Sequence, residues 1–301
     1  MRLPDTGRSC HPKVRSSSIR HYLFDEIAAV SATSSPAKDI VRGAVLDAIA
    51  TYNSPIVVRG CTPRARRFAT EQGLAEASAD ADLIEACKGE GTFGVLFRNI
   101  HTTGNPSGPL WSVSGTDSDA SSTANFLRSM RLNASGHLVI EHEHSTGTDV
   151  TSTFTGFTAR TNEWVYLVLR VVTATAGDGP TGTVTLKAFC NGAPIIDPTT
   201  GNPQSFTVAN SSGGSAAVLR IGHDLDSGGT PKNVKARDIA GFYAWAEALT
   251  DDEIAEDARR IRLRSFDVRT DAMVRVFNVG GAPVNLADIE DTDFVDSISI
   301  S

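Results

Sequence analysis

A cluster of carboxylates follows an aromatic run near the end of the chain, in the stretch GFYAWAEALTDDEIAED. The acidic side chains of residues 251–253 and of Glu256 could act as general acids and bases or as metal ligands. However, Thr250 precedes Glu253 by three residues, which is the spacing of a helix capping box. Acidic residues in a first turn are also favoured by the helix dipole. The cluster therefore predicts the start of a short amphipathic helix, not a catalytic site.

A second candidate for chemistry is the stretch IEHEH, in which His142 and His144 alternate with glutamates. Both histidines share one face if the stretch is a strand, because strand side chains alternate between faces. Such a pair can supply two zinc ligands, but a third His, Cys or carboxylate is needed, and the sequence offers no obvious one, although Asp149 is nearby. We therefore interpret the stretch as the polar face of a strand.

Two aspartates in the loop-like stretch GHDLDSGG, Asp224 and Asp226, are candidate metal ligands. Calcium prefers several oxygen ligands on flexible loops of this composition. The spacing is not that of an EF-hand, so ordinary turn aspartates are the alternative. Calcium is the one cofactor that the sequence suggests.

Three aromatic residues, Trp111, Tyr243 and Trp245, are candidates for stacking on a sugar ring. Aromatic residues make up only 7% of the chain. A core of this size needs most of them, so burial is the alternative interpretation for all three.

The chain has four cysteines, and their spacing fits neither a zinc site nor a disulfide scaffold. Cys10 differs from the others because it lies in a polar segment beside His11 and Lys13. An accessible thiol at this position could form a disulfide between subunits. The other cysteines are expected to be buried free thiols.

The overall charge excludes some classes of function. A net charge of −7 and a pI near 5.5 argue against binding to nucleic acid. The sequence has no apolar run long enough to cross a membrane, and its first residues lack a secretory signal. Residues 1–20 form a basic arm and residues 265–301 an acidic extension, which could attract each other or stay solvated and mobile.

From about residue 90 onward, short apolar runs alternate with segments rich in Gly, Ser, Thr and Asn. This pattern predicts many short strands and an all-β sandwich or jelly roll. Before it, apolar residues at helical spacing favour a helix over 36–52, and SPIVVRG at 54–60 favours a strand. The Asn191-Gly192 pair predicts a two-residue hairpin turn.

Several motifs in order carry a resemblance to a known family. They are HYLFDE, NEWVYLVLRV with Trp164, VTLKAFCNGAPI, LRIGHDLDSGG and GFYAWAEALTDDEI. Together they resemble laminin-G-like domains of the concanavalin A-like lectin and glucanase superfamily, of the kind found in bacteriophage virion proteins, over residues 21–264. The resemblance implies a two-sheet antiparallel jelly-roll sandwich with a short C-terminal helix, flanked by extended arms. It also implies that Trp164 anchors the core.

The chain departs from the catalytic and calcium-binding versions of that family. IEHEH lacks the third carboxylate of the glucanase pattern E-x-D-x-x-E, and Ala240-Gly241 stands where many relatives have an acidic pair. We therefore expect no enzymatic activity.

Two functions fit these observations. The first is a structural subunit of a phage-type virion, in the neck, tail or capsid exterior, which forms homo-oligomers and contacts other virion proteins. It draws on a chain that begins at Met1 without an export signal and carries charged arms. The alternative is a carbohydrate-binding attachment module for cell-surface glycans, which could use calcium as a cofactor. Such a module would leave the cell without a signal peptide.

Overall fold

The computed structural model describes residues 11–24, 36–48, 56–58, 65–68, 73–100, 107–114, 126–144, 148–177, 182–210, 217–225, 231–232 and 237–261.

The described chain is almost entirely β-structure, with a short helix α1 (Ala81–Lys88) and a second helix α2 over 251–261. In chain order the strands are β1 (Ser18–Tyr22), β2 (Ala37–Lys38), β3 (Val45–Ala48), β4 (Ile56–Val58), β5 (Ala65–Phe68), β6 (Leu74–Glu76), β7 (Gly91–Asn99), β8 (Gly108–Ser114), β9 (Phe126–Leu132), β10 (Leu138–His144), β11 (Thr148–Phe154), β12 (Trp164–Thr175), β13 (Thr183–Cys190), β14 (Ala193–Pro194), β15 (Ser205–Ala209), β16 (Val218–Ile221), β17 (Asp224–Leu225), β18 (Pro231–Lys232) and β19 (Arg237–Trp245).

Two large antiparallel sheets contain nearly all of these strands. The nine-stranded sheet has the order β14-β13-β12-β7-β19-β5-β4, with β1 also paired to β19 and β15 to β13. The eight-stranded sheet has the order β11-β10-β9-β8-β16-β6-β3-β2. Neighbours in each sheet are often distant in sequence, as in a jelly roll. The predicted all-β, two-sheet sandwich is confirmed.

The main core lies between the two sheets. Trp111 on β8 is central to it, since its ring stacks on Phe93 at 5.1 Å and meets Phe242 edge-on at 5.7 Å. Phe93 and Phe242 belong to the opposite, nine-stranded sheet. The aromatic residues of the two sheets therefore interlock, as expected for face-to-face packing.

A second apolar cluster covers part of the outer face of the nine-stranded sheet. It joins Tyr166, Tyr243 and Trp245 to Ile254 and Ala258 of α2. The helix begins as its capping box predicts: the Thr250 amide donates to Glu253 Oε2 at 2.9 Å, and the Glu253 amide donates to Thr250 Oγ1 at 3.3 Å. The structural interpretation of the acidic cluster is thus confirmed.

The helix predicted over 36–52 is wrong in the described part of that segment. Strands β2 and β3 form a hairpin there instead. Asp39 accepts hydrogen bonds from the amides of Val41 and Arg42, and Gly43 has a φ of 76°. A side chain that caps the turn and a glycine in the left-handed region outweigh the helical spacing of the apolar residues.

The N-terminal boundary predicted at residue 20 falls inside β1. All five residues of β1 are buried, and this strand pairs with β19. Residues 11–17 also pack onto α2, where the Lys13 amide donates to Asp257 Oδ1 at 2.9 Å. The folded domain therefore includes residues from at least 11 onward. Residues 1–10, and the acidic extension 265–301, lie outside the described residues.

The Asn191-Gly192 hairpin is confirmed, because φ is positive at both positions, 52° and 88°. No helix in the described ranges combines the length and hydropathy needed to cross a bilayer.

Candidate functional site

The three aromatic residues predicted to stack on sugar are all completely buried. Trp111 lies between the sheets, while Tyr243 and Trp245 lie beneath α2 and residues 11–17. Tyr243 Oη is 2.8 Å from His11 Nδ1, and the Arg15 guanidinium lies 5.7 Å from the Trp245 ring centre. No face of these rings is open to a sugar in this structure. This corrects the predicted stacking role: the rings bury the outer face of the sheet under a helix that folds back over it.

The remaining predicted sites are only partly within the described residues. Asp224 opens β17, where its backbone pairs with Lys232. Asp226 and Cys10 lie outside the described residues, so calcium binding and the intersubunit disulfide stay predictions. Across the described ranges, no group of three or more His, Cys, Asp or Glu residues is arranged to hold a metal ion.

His142 does not lie on an exposed polar face. It is completely buried, and it is in register with Arg128 of β9, which is also completely buried. The alternation of IEHEH is correct for a strand, but the histidine points to the interior and not to solvent.

The outer face of the nine-stranded sheet carries a polar row that no local motif indicates. In register across four neighbouring strands lie Arg67 on β5, Asp238 on β19, Arg98 on β7 and Trp164 on β12. Residues directly opposite each other in antiparallel strands share a face. We call these four residues the cross-strand row.

Asp238 is the anchor of the cross-strand row. Its side chain is completely buried, and both arginines converge on it. Arg67 donates from Nε at 2.8 Å and from Nη2 at 3.1 Å. Arg98 donates from Nε at 3.1 Å and from Nη2 at 2.5 Å. The hydrogen bond to Asp238 raises the pKa of Arg67, so this guanidinium stays charged.

Trp164 lies at the other end of the row and is only half-buried. The Arg98 guanidinium lies over its ring, 5.0 Å from the centre, as a cation–π contact. The core role that the family resemblance implied for Trp164 is thus met only in part: the ring packs against the second apolar cluster and does not enter the main core between the sheets. Of the three tryptophans, Trp164 is the one that reaches the surface, whereas Trp111 and Trp245 serve the core.

The row keeps part of its charge in contact with solvent. The Arg67 side chain is 36% exposed and the Arg98 side chain 24% exposed, while Asp238 is inaccessible. Within the row, two cations share one anion, so its own side chains carry one net positive charge. The surface thus offers an indole ring beside fixed N–H donors.

A separate groove of about 550 Å³ lies at the edge of the same sheet, beside β14. Its walls include Phe157, Thr158, Arg160, Glu163, Pro194 and Ile196. Ile196 is 41% exposed, and Arg160 lies 3.9 Å from Glu163 in a solvent-exposed ion pair. An exposed pair of this kind is weakly held. The groove is therefore less preorganised than the cross-strand row.

Comparisons with known proteins find similarity at the level of fold. No family model matches the sequence, and no curated protein matches it. Among solved structures, the binding domain of botulinum neurotoxin DC in complex with rat synaptotagmin II is 11% identical, with a TM-score of 0.52 over 81% of this chain and 52% of that one. The structure titled as showing that cell entry of botulinum neurotoxin type C depends on two ganglioside molecules is 11% identical, with a TM-score of 0.53, over 81% and 51%.

The binding domain of Paraclostridial Mosquitocidal Protein 1 is 10% identical, with a TM-score of 0.51, over 80% of this chain and 51% of that one. This chain spans about half the length of each of these structures. At such low identity the likeness supports the fold alone. Two of these structures are binding domains, and the third is described by the interaction of its toxin with two ganglioside molecules.

Proposed function

We propose that this chain is a non-enzymatic carbohydrate-binding module, and that a sugar binds at the cross-strand row. The observation that carries the proposal is the half-buried Trp164 ring beside two arginines that a buried carboxylate holds in place. The alternative function predicted from the sequence is thus preferred over a purely structural role.

The chemistry of the row suits a sugar. A pyranose has an apolar C–H face, which packs on an aromatic ring, and a rim of hydroxyl oxygens, which accept hydrogen bonds. The part of the Trp164 ring that Arg98 and the second apolar cluster leave uncovered supplies the first surface, and the exposed N–H groups of Arg67 and Arg98 supply donors for the second. Because Asp238 fixes both guanidinium groups before a ligand arrives, binding costs little side-chain entropy.

The solved structures with this fold lend support of a general kind. Among them are a botulinum neurotoxin described by its interaction with two ganglioside molecules, a binding domain in complex with SialylT, and a binding domain in complex with synaptotagmin II. Those ligands belong to those proteins. For this chain they support an interaction module that binds molecules at a cell surface, with no catalytic role.

A location in a phage-type virion remains a second, separate proposal. It rests on the acidic residues of 265–301 and on the basic residues Arg2 and Arg8, since Arg15 and Arg20 form ion pairs within the domain, and it is compatible with glycan binding. Light scattering with and without reductant tests it. A discrete oligomer supports an assembly subunit, and its loss in Cys10→Ser supports the intersubunit disulfide.

A glycan array probed with the wild type and with Trp164→Ala tests the proposed function. The wild type should bind a restricted set of glycans. Loss of the indole should weaken binding about tenfold, which corresponds to roughly 1.4 kcal/mol. Ile196→Ser in the edge groove is the matched control and should bind like the wild type. If the control loses binding and Trp164→Ala does not, the sugar binds in the groove and the proposed site is wrong.

A further inference from the structure

We infer that the cross-strand row selects an acidic sugar, with a carboxylate or sulfate group of the ligand bound by Arg67 and Arg98 on the solvent side of Asp238. This inference rests on the proposed function and names the class of glycan that the same site would take. It follows from the charges and hydrogen bonds of the row.

The first step is the number of donors. Each guanidinium has five N–H groups, and each of these arginines uses Nε and Nη2 to bind Asp238. Within the described ranges, Nη1 of Arg67 and Nη1 of Arg98 have no hydrogen-bond partner. Both side chains are also partly exposed. The row therefore presents donors in excess of what Asp238 can accept.

The second step is the charge. One buried carboxylate lies between two guanidinium groups and neutralises only one of them. A neutral sugar would leave the second positive charge uncompensated, whereas a carboxylate or sulfate on the solvent side of the row would neutralise it. Charge-assisted hydrogen bonds of this kind are roughly twice as strong as neutral ones.

The third step is the geometry. Arg67 and Arg98 lie on β5 and β7, the two strands that flank Asp238 on β19, and their guanidinium groups converge on its carboxylate. Because each Nε–Nη2 edge is engaged by Asp238, an anionic group of the ligand would accept from the Nη1 groups on the partly exposed side of these fixed guanidinium planes. Trp164, next to Arg98 in the row, provides an apolar surface for the ring that carries the anionic group.

The chain as a whole has a net charge of −7, so it does not attract polyanions in general. Selection for an acidic ligand must therefore come from the local excess charge of the row. This favours a small anionic sugar over a long acidic polymer. An acidic peptide is therefore included in the test as the alternative ligand.

The experiment uses calorimetric titration of the full chain with 3′-sialyllactose, with lactose, and with a short poly-glutamate peptide. The two sugars share a neutral core and differ in the acidic residue. The wild type should bind 3′-sialyllactose about tenfold or more tightly than lactose, and this preference should shrink as salt is raised. The poly-glutamate peptide should show no binding in its own titration.

Two variants assign the preference to the row. Arg67→Gln leaves the Arg98–Asp238 pair in place and should bring the affinity for 3′-sialyllactose close to that for lactose. Arg67→Lys keeps the charge but removes the fork, and should give an intermediate result. Arg160→Gln, at an exposed arginine of the edge groove, should keep the full preference. Near-UV circular dichroism confirms that each variant is folded.

The outcomes separate this inference from the proposed function. Equal affinity for both sugars, abolished by Trp164→Ala, would overturn the acidic preference and leave carbohydrate binding intact. No binding to any glycan on the array would overturn the proposed function itself. Binding of poly-glutamate in preference to 3′-sialyllactose, with loss in Arg67→Gln, would show that the row receives an acidic protein segment and not a sugar.

Discussion

Arg15 Nη1 donates a 2.7 Å hydrogen bond to Asp257 Oδ2, a contact that joins residues 242 positions apart. The Asp257 side chain is completely buried and that of Arg15 is 10% exposed. The N-terminal segment and helix α2 are therefore held together over the outer face of the nine-stranded sheet. This contact helps to explain why residues 11–17, which were predicted to be part of a basic arm, pack onto the folded domain.

Arg15→Met should destabilise the protein by about 3–5 kcal/mol, because it leaves a buried carboxylate without its cation. Burial already raises the pKa of Asp257, while Arg15 and the Lys13 amide lower it. Loss of the cation raises that pKa further, so the destabilisation should increase with pH. Urea unfolding measures both effects.

Arg259→Met is the control. It removes an ion pair between largely exposed side chains and should cost less than about 1 kcal/mol. Equal losses in the two variants would contradict the role of Arg15.

The stability of the protein should fall as the pH drops below about 6.5. Burial lowers the pKa of His21 to about 3, and repulsion from His11 and Arg15 adds to the effect. Since the folded pKa lies below the unfolded value of 6.5, the unfolded chain binds the extra proton between these limits. Stability is thus lost through this window, by up to about 1.4 kcal/mol per pH unit for this one group.

His21→Gln should make that dependence less steep, as measured by urea unfolding between pH 4 and 7 (roughly the window in which the group titrates). Part of the slope should remain, because burial and the nearby Arg220 lower the pKa of His223 to about 4. An unchanged slope in His21→Gln would show that His21 does not contribute.

Substitution of Gly192 by alanine should separate backbone strain from contact with α2. Both Gly192 and Gly201 have positive φ, 88° and 71°, so alanine costs about 1–2 kcal/mol at either position. At Gly192 the new Cβ would also lie 2.8 Å from the Ala258 Cβ of α2, whereas at Gly201 nothing lies within 4 Å. Gly192→Ala should therefore lower stability by about 1–3 kcal/mol more than Gly201→Ala. Equal losses of stability in the two variants would mean that the hairpin turn is not in tight contact with α2.

Thr250→Ala should cost about 1 kcal/mol by removing the capping box of α2. Thermal unfolding measures the loss. Asp252→Asn, at an exposed position in the same turn, is the control and should have a smaller effect, because the dipole favours this charge by only about 0.3–1 kcal/mol. A larger loss in the control would contradict the capping role of Thr250.

The parts of the fold that depend on local pattern were predictable from the sequence. The capping box at Thr250, the hairpin turn at Asn191-Gly192 and the many short strands all follow from neighbouring residues. Helix α1 was missed, since it is only eight residues long and its main signal is the Asp80 side chain that accepts from the Leu83 amide.

The candidate site depends on strand register, which sequence does not supply. Arg67, Arg98, Trp164 and Asp238 come from four strands far apart in the chain, and only the pairing of β5, β19, β7 and β12 aligns them. The environments of the tryptophans were missed for a related reason. Trp111 is covered by the opposite sheet, whereas Tyr243 and Trp245 are covered because α2 and residues 11–17 fold back over them, and no local pattern records either contact.

The most direct test of glycan binding at the row is an NMR titration that follows the indole N–H signals of the three tryptophans, assigned with Trp164→Phe. On addition of 3′-sialyllactose, the signal of Trp164 and the side-chain Nε signals of Arg67 and Arg98 should shift. The signals of the buried Trp111 and Trp245 should stay in place. Shifts confined to Trp245, or to residues of the edge groove while Trp164 is unaffected, would contradict the account.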